Sequence, residues 1–127
     1  MWRFLATTLL LALVAYLEMN KLERNAVTKI FKMNFEVYGL VQGVFFRKHT
    51  KDFADALKLR GFVKNTPSGT VVGEAQGPLP DLEQLKLFLK DKGSPQSRID
   101  KLSFDITPIE EYKYDTFTII RRHNKKE

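Results

Sequence analysis

The chain has 127 residues, of which 43% are hydrophobic, and 21 Lys+Arg against 15 Asp+Glu give a formal net charge of +6. This length suits one small domain. The absence of cysteine excludes disulfides, thiolate nucleophiles and cysteine-ligated zinc, and 2 histidines are too few for a histidine-rich metal centre. The positive charge favours anionic partners, a class that includes nucleic acid, phosphorylated metabolites and acidic membrane surfaces.

The N-terminal part of the chain contains an uncharged apolar run over residues 4–17, which follows Arg3 and precedes a polar, mostly charged stretch. At 14 residues the run is shorter than the roughly 20 residues of an untilted membrane-spanning helix, and it fits the apolar region of a secretory signal peptide. We therefore expect a targeting segment, either a cleaved signal or an uncleaved anchor, with membrane contact through residues 4–17. An amphipathic helix packed on the domain fits less well, because the run is apolar on all sides.

The chain divides into three parts. Residues 1–32 comprise the apolar segment and a polar, basic linker, residues 33–121 form one domain, and residues 122–127 form a basic tail. The tail with its His123, and His49 within the domain, are expected to be exposed to solvent. The compartment stays undetermined, because the apolar segment suggests secretion or a membrane, whereas a protein started at Met33 would be cytoplasmic.

Within the domain, the first predicted elements are a strand, a helix and a hairpin. Apolar and glycine positions alternate with their neighbours over residues 35–41, which predicts a strand with one buried face. Apolar positions three, four or seven residues apart predict an amphipathic helix over residues 46–59, and Gly61 is expected to end it. Strands at 62–65 and 70–75 then flank a turn.

The remaining elements of the domain are a second helix and two strands. Pro80 and Asp81 open a second helical pattern, which Gly93 ends. Strands follow at 99–107 and 116–120. The resulting order predicts an α+β, ferredoxin-like βαββαβ sandwich, in which two helices cover one face of an antiparallel sheet. Because many unrelated functions share this fold, function must be argued from the site residues.

The loop between the first strand and the first helix has the features of an anion site. Its backbone N–H groups lie at a helix N-terminus, and Gly43 lets them converge on one phosphate. The guanidinium of Arg47 can donate a pair of hydrogen bonds to the same phosphate. The candidate phosphate-binding residues, through their backbone N–H groups, are Gln42, Gly43, Val44, Phe45, Phe46 and Arg47. On spacing alone, a solvated surface arginine explains Arg47 equally well, because this loop lacks the Walker pattern.

Three stretches of the sequence together resemble the motifs of the acylphosphatase family. They are VYGLVQGVFFR at 37–47, GFVKN at 61–65 and GTVVGEAQG at 69–77. The resemblance continues less strictly through GSP at 93–95 to Phe117, so that it covers residues 34–121. It implies the fold predicted above, with Arg47 as the catalytic arginine and Asn65 as the catalytic asparagine.

The family resemblance also implies the reaction, which is hydrolysis of acyl phosphates to a carboxylate and inorganic phosphate without metal or cofactor. This chemistry suits so small a set of residues, since the leaving carboxylate has a conjugate-acid pKa of about 4 to 5 and needs no protonation by the protein. The amide of Asn65 can hold the attacking water in line with the scissile bond. Without the resemblance, Asn65 is as readily explained as a cap of the turn that follows it.

Two other functions compete with this one. A non-catalytic phosphate-binding or regulatory domain of the same fold is the main alternative, and the presence of both Arg47 and Asn65 disfavours it. An RNA-recognition module shares the order of elements, and residues 60–63 partly match its RNP1 motif, but they lie on the second strand instead of the third. We therefore expect the partners to be a small acyl phosphate and inorganic phosphate, without nucleic acid, and the protein to be a monomer.

Overall fold

The computed structural model describes residues 2–121, with side chains described for residues 6–20 and 29–121. The predicted basic tail, residues 122–127 with His123, lies outside the described residues. The helices are α1 (Trp2–Thr28), α2 (Phe46–Ala56) and α3 (Leu79–Leu87), and one π-helical turn (Phe88–Lys92) continues α3. The strands are β1 (Ile30–Leu40), β2 (Arg60–Asn65), β3 (Val71–Pro78), β4 (Arg98–Pro108) and β5 (Phe117–Ile120).

The strands form one sheet in the order β4-β1-β3-β2-β5. The first four strands are antiparallel to their neighbours, and with α2 and α3 they give the ferredoxin-like βαββαβ arrangement predicted from the sequence. The expectation of a fully antiparallel sheet is wrong for β5, which pairs with β2 in parallel. β5 takes this direction because β4 ends at the end of the sheet where β2 begins, and the chain crosses the sheet there before it enters β5.

The segment that leads from β4 to β5 covers part of the sheet face opposite α2 and α3. The Arg60 guanidinium lies 3.8 Å from the centroid of the Tyr112 ring. Phe62 meets Tyr114 edge to face, with their ring centroids 5.8 Å apart. Arg60 and Phe62 belong to the segment, residues 60–63, that partly matches the RNP1 motif. Each of them is therefore covered by a tyrosine of the same chain.

The core lies between the sheet and two helices, because α2 packs on β2 and β5 while α3 packs on β1 and β3. Its side chains come from alternate strand positions and from one stripe of each helix: Met33, Phe35 and Val37 in β1, Val63 in β2, Phe46, Thr50 and Ala54 in α2, and Leu82 and Leu85 in α3. Full burial of a large apolar side chain contributes about 1.5–3 kcal/mol. Burial of Phe46 therefore fixes the first turn of α2 against the sheet.

The C-terminal end of α2 differs from the sequence prediction. The helix ends at Ala56 instead of residue 59, and Lys58 (φ 59°) takes the left-handed conformation that was expected of Gly61. The N–H of Leu59 donates to the carbonyl oxygen of Ala54 at 2.9 Å, which closes the last turn. Gly61 lies inside β2, where a Cβ would collide with the carbonyl oxygen of Glu74. The glycine is therefore required by the close approach of β2 and β3.

α1 includes both the apolar run and most of the stretch interpreted as a linker. It extends without interruption from Trp2 to Thr28, and β1 begins at Ile30 because residues 30–32 already pair with β3. The first strand therefore starts ahead of Met33, where the domain was expected to begin. The side chains of residues 6–19 are exposed. Among the described residues, no helix is both long enough and apolar enough to cross a membrane.

Candidate active site

The loop from β1 to α2 bends sharply before the helix begins. Gly43 (φ 76°) and Phe45 (φ 62°) both have positive φ, a conformation that is unfavourable for phenylalanine. The side chain of Phe45 is 73% exposed, so packing does not compensate this strain. Phe45 is the N-cap residue of α2 and makes no side-chain capping hydrogen bond. The first N–H groups of α2 are therefore available to an anion in the loop.

The carbonyl oxygen of Phe45 is held by the first turn of α2. The N–H of His49 donates to it at 3.1 Å, and the Nδ1 atom of the same histidine lies 2.9 Å from it. His49 is half-buried, whereas the sequence analysis expected it to be exposed. Through these two contacts with Phe45, His49 has a structural role beside the loop.

The side chain of Gln42 joins this loop to the turn between β2 and β3. Its Nε2 atom donates hydrogen bonds to the carbonyl oxygens of Thr66 and Thr70, both at 2.8 Å. The hydroxyl of Thr70 in turn donates to Glu36 Oε2 of β1 at 2.7 Å. Charge-assisted and paired hydrogen bonds of this kind hold the turn in one position relative to the loop.

Asn65 is the last residue of β2 and directly precedes that turn. It alternates with the buried Val63, so it lies on the side of the sheet that α2 covers. Its Oδ1 atom is buried and accepts no hydrogen bond from any described residue. Because a buried acceptor without a partner costs about 1–3 kcal/mol, this atom is a site where a bound water or substrate donor would be stabilised.

The structure brings Arg47 and Asn65 to one cavity of about 430 Å³, which Thr66, Pro67, Ile120 and Arg121 also line. Arg47, in the first turn of α2, is half-buried. Burial, followed by the positive charge of Arg121, lowers the pKa of Arg47 from its usual value. An arginine remains protonated at neutral pH even so. The cavity therefore places a fixed positive charge and an amide side by side.

A second cavity, of about 320 Å³, adjoins the first through Arg47 and Arg121. Its other lining residues are Val41, Gly43, Phe45, Phe46, Lys48 and Ile119. Of the six candidate loop residues, Gly43, Phe45, Phe46 and Arg47 thus face this cavity. Gln42 and Val44 are not among its lining residues, because the Gln42 side chain bonds to the β2–β3 turn and Val44 packs against the core.

The charge of the two cavities has one sign. Arg47, Lys48 and Arg121 line them, and within residues 2–121 no carboxylate is among the lining residues. Lys48 is paired with Asp52 at 2.9 Å on the exposed side of α2. Among the residues the structure describes, no group of three or more histidine, aspartate or glutamate residues is arranged to hold a metal ion.

Sequence reasoning missed Arg121 and the hydrogen bonds that position Asn65. Phe117 and Ile119 lie on the same face of β5, because alternate residues of a strand share a face. Extending this alternation by two residues would have predicted that Arg121 faces the site. The parallel placement of β5 next to β2, which sets Ile120 opposite Lys64, carries Arg121 to the level of Asn65. That placement depends on the crossing from β4, which no local pattern indicates.

Fold and site together describe a ferredoxin-like domain with a cationic cavity at the N-terminus of α2, and comparison with known proteins shows the family to which it belongs. The acylphosphatase family model matches residues 33–119. Acylphosphatase-1 from Xenopus tropicalis is 43% identical over 90 residues, which cover 70% of this chain and 92% of that protein. Acylphosphatase-1 from Homo sapiens is 41% identical over 93 residues, which cover 72% of this chain and 94% of that protein.

Solved structures agree with the sequence relatives. An acylphosphatase from Bacillus subtilis is similar with a TM-score of 0.67 and 33% identity, over 72% of this chain and 99% of that one. An acylphosphatase from Coxiella burnetii gives a TM-score of 0.65 and 31% identity, over 72% of this chain and 93% of that one. The chain belongs to the acylphosphatase family, which confirms the resemblance seen in the sequence.

Proposed function

We propose that the protein is a metal-independent acylphosphatase that hydrolyses the carboxyl–phosphate bond of acyl phosphates to a carboxylate and inorganic phosphate. The observation that carries this proposal is the single cavity lined by both Arg47 and Asn65 in a chain of the acylphosphatase family. Both residues and the loop between β1 and α2 belong to one chain, so a single chain holds the complete site, and we propose that the enzyme acts as a monomer.

The phosphoryl group binds in the loop at the N-terminus of α2. The unpaired N–H groups of the first helical turn and the helix dipole attract its oxygens, and the Arg47 guanidinium donates a pair of hydrogen bonds to two of them. These donors are fixed before the substrate arrives. They stabilise the charge that spreads over the equatorial oxygens in the transition state, which is the main requirement of phosphoryl transfer.

Asn65 positions the attacking water. Its buried Oδ1 accepts a hydrogen bond from that water, which orients a water lone pair toward phosphorus. The water oxygen forms the new bond to phosphorus as the bond from phosphorus to the acyl oxygen breaks. The water proton passes to a phosphoryl oxygen, because none of the described residues that line the two cavities is a carboxylate that could accept it. The carboxylate leaves without protonation, since its conjugate acid has a pKa of about 4 to 5.

The test is hydrolysis of benzoyl phosphate by the full chain in the presence of a chelator, with Arg47→Gln and Asn65→Ala as variants. Each variant is expected to lose at least about 100-fold in kcat, since each removes a group that stabilises or aligns the transition state. Arg60→Gln is the matched control, because Arg60 carries the same charge at the opposite end of β2.

Two results would overturn this proposal. The first is wild-type protein that binds inorganic phosphate without turnover, which would support the non-catalytic phosphate-binding domain instead. The second is unchanged turnover in both variants when they are correctly folded, which would show that other residues are the catalytic groups. Loss of activity with chelator, and its recovery with a divalent metal, would contradict metal independence alone.

We further propose that α1 attaches the protein to a lipid surface, either as an anchor or as a targeting segment before cleavage. The exposed large apolar side chains of α1 support this, and they are Leu9, Leu10, Leu11, Leu13, Val14, Tyr16, Leu17 and Met19. Residues at these spacings point to all sides of a helix. A C-terminally tagged chain, followed by fractionation of its own cells, distinguishes full-length protein in membranes from a shortened product outside the cell.

A further inference from the structure

Arg121 is a cation of the active site that the hydrolysis mechanism above does not use. It follows β5, whose Ile120 pairs with Lys64 next to Asn65. It lines both cavities together with Arg47. Among the described side chains, those of residues 6–20 and 29–121, neither arginine forms an ion pair. The site therefore holds two guanidinium groups, and no carboxylate is found among the described residues that line it.

The two arginines differ in depth. Arg47 is half-buried beside the loop N–H groups, whereas Arg121 is exposed. The phosphoryl group, which needs the loop donors, occupies the inner position. The rest of the substrate extends outward and meets Arg121. A guanidinium at this position binds a carboxylate or a phosphate by paired, charge-assisted hydrogen bonds, and it offers nothing comparable to an uncharged group.

We infer that Arg121 selects acyl phosphates whose acyl portion carries a second negative charge, a carboxylate or a phosphate. The inference rests on the proposed acylphosphatase function and names its preferred substrate class. Binding of a substrate with this additional negative charge also relieves the repulsion between the two arginines. Substrates with an uncharged acyl portion leave that repulsion partly in place.

The test compares 4-carboxybenzoyl phosphate with 4-carbamoylbenzoyl phosphate, which has nearly the same shape but no charge on the acyl portion. The measured quantity is the ratio of their kcat/KM values in the full chain, because intrinsic reactivity cancels when this ratio is compared between variants. Wild-type protein is expected to favour the carboxylated substrate. Arg121→Gln is expected to lower the ratio by about tenfold, and Arg121→Lys by less because it keeps the charge.

Arg60→Gln serves as the matched control, since it removes one guanidinium about 17 Å along β2 from Asn65. It is expected to leave the ratio unchanged. An unchanged ratio in Arg121→Gln would overturn the inference. If both kcat/KM values had then fallen by the same factor, Arg121 would be assigned to the phosphoryl group. The preference of the wild type should also fall with added salt, a measurement that needs no variant. Absence of turnover with both substrates would contradict the proposed function itself.

Discussion

Gln42 shows how one side chain can matter to a site that it does not line. Its amide nitrogen faces two carbonyl oxygens of the turn after Asn65. Replacement by glutamate, Gln42→Glu, would put a negative oxygen against both carbonyl oxygens. We expect this variant to lose about 2–3 kcal/mol of unfolding free energy and to have a reduced kcat for benzoyl phosphate, because the turn would move Asn65.

Urea unfolding and steady-state kinetics measure these two effects. Gln42→Ala is expected to cost less, about 1 kcal/mol, because the two carbonyl oxygens keep the N–H groups of Gly69 and Thr66 as donors. Gln84→Glu is the matched control, since Gln84 is exposed on α3. Equal stability of Gln42→Glu and Gln84→Glu would show that the bonds to the turn are dispensable.

At the scale of elements, the sequence predicted the helices and strands that have a local hydrophobic pattern. The alternation in β1 and the apolar stripe of α2 each reflect contacts that a segment makes through its own periodicity. The type and the order of both elements were therefore predicted, although β1 begins earlier and α2 ends earlier than expected. The parallel direction of β5 depends on where the chain returns after β4. Arg47 and Asn65 were found by their motifs, whereas Arg121 needed the tertiary placement of β5.

The end of α2 illustrates a local pattern that misled. A glycine after an amphipathic helix favours a left-handed ending there, yet Gly61 is used by the sheet and Lys58 takes the left-handed position. Its strain is not relieved by the side chain, which is exposed. The pairing of β2 with β3 requires a glycine at position 61, so the left-handed position that ends α2 falls on Lys58.

Lys58→Gly is expected to stabilise the protein for this reason. Glycine takes a positive φ without the clash that lysine suffers, and the greater flexibility of the unfolded chain offsets part of the gain. The net increase in unfolding free energy should be about 0.5–1 kcal/mol, measured by urea unfolding. Lys58→Ala removes the same side chain but keeps the clash, so it should show no such gain. A gain shared by both variants would attribute the effect to the lost charge.

At the scale of the whole molecule, α1 and the catalytic domain are expected to have separable tasks. The apolar side chains described in α1, those within residues 6–19, are exposed, and none of the described residues that line the two site cavities belongs to α1. The net charge of +6 adds attraction to an anionic membrane. Membrane attachment would therefore change where acyl phosphates are hydrolysed while the chemistry of the site stays the same.

Binding of the full chain to phosphatidylcholine vesicles, with and without phosphatidylglycerol, tests this separation. We expect the wild type to float with both kinds of vesicle and more strongly with the anionic ones. Each buried leucine contributes about 1.5–3 kcal/mol, so the double variant Leu10→Glu with Leu13→Glu should detach from both while its rate of benzoyl phosphate hydrolysis stays unchanged. Leu87→Glu, which alters an exposed leucine of α3, is the control and should still bind. Vesicle binding that survives the double variant would place the lipid contact outside α1.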